Sequence, residues 1–86
     1  MPERRVVVAI EEGLHARPAA LFVKLAAAQP VAVTIRKPDG SPVPTRSILS
    51  VMTLGARRGD EVVLETDDAS GGPSLDALAA YLTTAG

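Results

Sequence analysis

Apolar positions along this chain follow two rhythms, and the changes between them predict its elements. Arg5-Val6-Val7-Val8-Ala9-Ile10 is a β-branched run bounded by Glu11, Glu12 and Gly13, which predicts a well-buried strand. From Ala16 to about Ala28 strong helix formers follow, with Ala19, Phe22, Val23 and Ala26 on one face at three- and four-residue spacing. Gln29-Pro30 ends that helix. Val31, Val33 and Ile35 then alternate with Ala32, Thr34 and Arg36, the pattern of a strand with one face in a core.

Lys37-Pro38-Asp39-Gly40-Ser41 reads as a hairpin turn. Pro42-Val43-Pro44-Thr45 is a short third strand that its two prolines confine to an edge. Ser47 has the chemistry of an N-cap for a short helix, Ile48 to Leu54, closed by Gly55. After a polar turn containing Arg57 and Arg58, Val62 and Leu64 alternate with Val63 and Glu65 in a fourth strand, Glu61 to Thr66. Asp67 to Gly72 is a polar loop, and Ser74 is placed to cap a last helix through Leu75, Leu78, Ala79 and Leu82. The order β-α-β-β-α-β-α with short connections predicts an α+β domain over residues 1–86. A four-stranded antiparallel sheet would carry three helices on one face, as a two-layer open-faced β-sandwich.

Composition narrows the functions available. The 86 residues are 47% hydrophobic but include one Phe, one Tyr and no Trp, which disfavours base stacking on single-stranded nucleic acid. Nine basic and ten acidic residues give a formal charge of −1, so electrostatic recognition must be local. Zero cysteines exclude disulfides and thiolate chemistry. The apolar run near the start is too short for a secretory signal or a membrane span, and the chain is expected to be cytoplasmic.

Chemistry concentrates in Gly13-Leu14-His15-Ala16-Arg17-Pro18-Ala19, which holds the only histidine. Pro18 suits the first turn of a helix, so His15 falls at or just before the cap, where unpaired N–H groups and the helix dipole favour an anion. An imidazole nitrogen can attack phosphorus and hold the phosphoryl group as a phosphoramidate. Arg17 supplies a fork for phosphate oxygens, and Gly13 lets the loop approach the helix. In the short second helix, the spacing of Ile48, Leu49 and Met52 leaves at least one of them exposed, which marks a candidate partner site.

The segment from Gly13 to Lys24 resembles the active-site segment of the HPr family of phosphocarriers in the phosphoenolpyruvate-dependent sugar phosphotransferase system. Ser47-Ile48-Leu49-Ser50-Val51-Met52-Thr53-Leu54-Gly55 is similar to the family's regulatory-serine segment, and the likeness extends over essentially the whole chain. The resemblance implies that His15 accepts a phosphoryl group at Nδ1 from enzyme I and passes it to IIA domains of sugar permeases, with Arg17 steadying the phosphate. It implies a docking face including Ala16, Ala20, Lys24, Ile48, Leu49 and Met52, and a Ser47 that a dedicated HPr serine kinase phosphorylates in some bacteria. A monomeric carrier that needs no cofactor or metal and is not itself an enzyme follows from it. Arg46, where the family has lysine or alanine, could assist docking to an acidic partner, whereas Arg57-Arg58 reads as a solvated turn.

Competing functions differ in what they require. A metal site lacks ligands near His15, and a hydrolase lacks a triad. Two readings compete: a binding module that uses the docking face without phosphoryl chemistry, and a carrier in a nitrogen-related or dihydroxyacetone kinase branch.

Overall fold

A computed structural model describes residues 2–84 and contains all seven elements in the expected order. They are β1 (Glu3–Val7), α1 (Ala16–Ala27), β2 (Thr34–Arg36), β3 (Val43–Pro44), α2 (Ile48–Leu54), β4 (Glu61–Glu65) and α3 (Gly72–Leu82). The strands form one antiparallel sheet in the order β1-β4-β2-β3, and the three helices cover one of its faces. Val62 and Leu64 of the central β4 meet Val6, Val8 and Ile35 on that face, under Phe22, Val51, Leu75, Leu78 and Leu82.

Several boundaries differ from expectation for physical reasons. The first strand spans Glu3–Val7, not Arg5 to Ile10, and it is not buried on both sides. Val6, Val8 and Ile10 point into the core, while Val7 is 57% exposed on the open face. A β-branched run cannot distinguish one covered face from two. Val8 leaves the ladder but keeps its backbone bonds, donating to the Asp60 carbonyl at 2.9 Å and accepting from Gly59 at 2.8 Å. β2 starts at Thr34, although Val33 and Ile35 keep the predicted buried face. Alternation in β4 predicted Val63 with the outward set, yet Val63 is fully buried. Arg5 and Arg36 stand directly opposite it on the neighbouring strands. Their ion pairs, Arg36 to Glu65 at 2.9 Å and Arg5 to Glu61 at 3.7 Å, lay the aliphatic stems across the open face.

The last helix is capped by Gly71, and Ser74 lies buried in its first turn instead of capping it. Pro73, with φ fixed at a helical value, draws the start ahead of itself. Arg46 is bonded within the chain. Its guanidinium donates to the carbonyls of Gln29 at 2.8 Å, Val31 at 3.3 Å and Ala26 at 3.5 Å, so it closes the carboxyl end of α1. A cation is favoured there by the helix dipole.

Candidate functional site

The loop that leads into α1 is held at both ends. Gly13 donates to the Ile10 carbonyl and Leu14 to the Ala56 carbonyl, each at 2.9 Å, and the Leu14 side chain is fully buried. Pro18 and Ala19 are buried on the far side. Gly13 has φ 71 and lies against the Ala56–Arg57 backbone, where a Cβ would come 2.7 Å from the Ala56 oxygen. Three residues must bridge these anchors, and the bridge is tight. His15 is the extended N-cap of α1 (φ −129, ψ 160), and Ala16 takes a left-handed φ of 46, rare for a residue with a Cβ. Such a conformation costs roughly 1–2 kcal/mol and persists only where the surroundings dictate it.

This geometry leaves His15 exposed at the helix start, and its side chain makes no capping bond. The imidazole is therefore open to a partner, beside first-turn N–H groups that favour an anion. Arg17 is exposed two residues on and enters no ion pair among the described residues. No hydrogen bond joins it to His15. Its side chain borders a cleft of about 280 Å³ with Ile10, Glu12, Pro18, Leu21, Tyr81 and Thr84, on which His15 does not lie. Tyr81 ties this cleft together, donating its hydroxyl to the Pro18 carbonyl at 3.0 Å with its ring 6.0 Å from Phe22.

Burial, and then the negative charge of Glu12, push the Tyr81 hydroxyl above its ordinary value. A raised folded-state value favours the protonated form, so this contribution is whole below the unfolded value near pH ~10 and is lost as pH rises through the folded value. Urea titrations are expected to show stability falling above about pH 10, and falling less steeply in Tyr81→Phe. Identical slopes in the two proteins would contradict this placement of Tyr81.

Ser47 caps α2 as expected, its Oγ accepting from the Ser50 N–H at 3.3 Å, and Gly55 closes that helix at φ 67. Val51 alone of α2 is buried. Leu49 is 74% exposed, with Ile48 and Met52 also exposed, so three apolar side chains face outward where at least one was expected. α1 packs on α2, and on it Ala16, Ala20 and Lys24 are all exposed. The sequence reading missed Leu21, 49% exposed on α1. Its position off the face defined by Ala19, Phe22 and Ala26 was the available signal. Among the described residues no three His, Cys, Asp or Glu side chains gather as metal ligands, and no helix is long and apolar enough to cross a membrane. What remains is an exposed imidazole at a helix start, an arginine two residues on with no ion pair among the described residues, and exposed apolar side chains on α2.

The chain is similar to known proteins along nearly its whole length. Residues 2–84 match the family model described as the PTS HPr component phosphorylation site. The chain is 53% identical to phosphocarrier protein HPr of Streptomyces coelicolor over 79 residues, covering 92% of this chain and 85% of that protein. It is 39% identical to the HPr-like protein Crh of Bacillus subtilis, with 95% of each covered. Among solved structures, HPr from Bacillus anthracis superposes with a TM-score of 0.87 at 38% identity, covering 94% of this chain and 95% of that one. With the family match spanning residues 2–84 and the fold in common, the chain belongs to the HPr family of phosphocarrier proteins of the phosphotransferase system.

Proposed function

We propose that this protein carries a phosphoryl group on His15, accepting it from enzyme I and delivering it to IIA domains of sugar permeases. The observation that carries this reading is the exposure of the only histidine, uncapped and unbonded, at the start of α1. The Nδ1 lone pair of His15 forms a new N–P bond as the donor's bond to phosphorus breaks, and the reverse exchange passes the group to the acceptor. Neither step needs a protein-bound base, because an imidazole nitrogen is both nucleophile and leaving group. The chain acts as an intermediate between catalysts, and Arg17 steadies the phosphate oxygens.

Docking uses the surface of Ala16, Ala20, Lys24, Ile48, Leu49 and Met52, whose exposed apolar side chains suit successive partners. Phosphorylation of Ser47 by an HPr serine kinase would place a dianion at the start of α2 within that surface and block enzyme I without unfolding the helix. The protein works as a cytoplasmic monomer. The charged residues Glu3, Arg4 and Arg5 guard the outer edge of β1 against pairing with a second copy.

The relay is tested by isolating the phosphorylated protein and chasing it with a IIA domain. Label is expected to leave His15 and appear on the acceptor, more slowly in Arg17→Ala at unchanged circular dichroism. In Leu49→Glu, both enzyme I binding and transfer are expected to fall at least about tenfold, because a charge enters the apolar contact. Retention of label by the wild-type protein would remove the carrier role, and undiminished binding by Leu49→Glu would move the docking surface elsewhere.

A further inference from the structure

Charge on this molecule is sorted by location. Residues 13–38 and 40–59 contain no aspartate or glutamate, so α1, α2 and the turn after α2 as far as Gly59 bear only cations. On the strands and in the turn after β2, Arg4, Arg5, Arg36 and Lys37 are each ion-paired. Arg46 is occupied by the end of α1. Arg46 aside, four cations among the described residues, Arg17, Lys24, Arg57 and Arg58, have no ion pair. Two belong to the proposed docking helix, and the other two form the turn after α2.

That turn is not remote from His15. Gly13 packs so closely on it that a Cβ would lie 3.0 Å from the Arg57 Cα, and Leu14 donates to the adjacent Ala56 carbonyl. Arg57 is thus held against the residue two before the histidine. Asp60 does not neutralise the Arg57 guanidinium, because its carboxylate accepts from the Arg57 backbone N–H at 2.9 Å and pairs with Lys37 at 3.8 Å. The turn is braced by its backbone, and the exposed Arg57 side chain is left over.

We propose that Arg57 extends the docking surface past Gly13 and engages carboxylates on an acidic surface of the phosphoryl-donor protein, an inference that rests on the carrier reading above. A donor surface complementary to α1, α2 and this turn must be negative at its rim, since these elements offer it no anion. Arg57 then acts as a specificity-determining residue for association and not as a catalytic residue. Exposed charge pairs at the rim of an interface act chiefly on association and are screened by salt.

The test is the KM of this protein as substrate of enzyme I with phosphoenolpyruvate and magnesium, measured across ionic strength. Arg57→Glu is expected to raise KM about three- to tenfold at low salt, with kcat changed less than about twofold and the difference shrinking as salt increases. Arg57→Lys should restore most of the loss, and Arg5→Gln, on the open sheet face, should leave KM unchanged. Normal wild-type turnover with an unaltered KM in Arg57→Glu overturns this inference alone. A fall in kcat at constant KM also overturns it, by placing the guanidinium on the phosphoryl group. Absence of wild-type phosphorylation sinks the carrier reading, and this inference with it.

Discussion

Gly13→Ala is expected to lower the unfolding free energy by about 3 kcal/mol, a large share of what a domain of this size possesses. Two terms combine. A left-handed backbone with a Cβ costs roughly 1–2 kcal/mol, and forcing an atom into filled space adds about 1–3 kcal/mol. Here the obstacle is the Ala56 carbonyl oxygen at 2.7 Å, a backbone atom that cannot rotate away. Gly59 provides the comparison within the same molecule. It has φ 92, but a Cβ added there would meet nothing within 4 Å, so Gly59→Ala carries only the conformational term. Urea denaturation of the two variants separates packing from backbone strain, and equal losses would contradict the close approach at Gly13. Because that approach also sets where His15 stands, Gly13→Ala should accept phosphoryl groups more slowly than its remaining folded fraction accounts for.

His15→Ala is expected to abolish phosphoryl acceptance while leaving stability within about 0.5 kcal/mol of wild type. The contrast follows from the geometry. His15 makes no side-chain cap bond and is exposed, so the fold gains nothing from the imidazole. No second histidine exists to take over its role. Substitutions that destabilise and substitutions that inactivate therefore fall on neighbouring residues, Gly13 and His15, through different mechanisms. A His15→Ala protein that still gained an acid-labile phosphate would show that another residue is the acceptor.

Periodicity revealed the order of elements because each helix and strand buries one face, and that rhythm is local. α2 was legible to the residue, since both of its stops are chemical: a serine that can cap and a glycine that can turn left-handed. Boundaries failed where tertiary contacts decide them. Val63 looks outward by alternation but is covered by arginines arriving from two other strands. Ser74 has the chemistry of a cap, yet Pro73 and Gly71 start the helix earlier. At the candidate site, the placement of His15 at the start of α1 was readable from Pro18 in the first turn. The left-handed Ala16 was not, because its strain comes from anchoring Leu14 to Ala56, a contact between segments far apart in the chain. The closing of α1 by Arg46 was hidden for the same reason.

The central claim is that His15 is a phosphoryl acceptor, and intact mass spectrometry tests it most directly. Wild-type protein incubated with phosphoenolpyruvate, magnesium and enzyme I is expected to gain one phosphoryl group that mild acid removes. No mass gain, in a mixture where the same enzyme I phosphorylates another HPr, would contradict it.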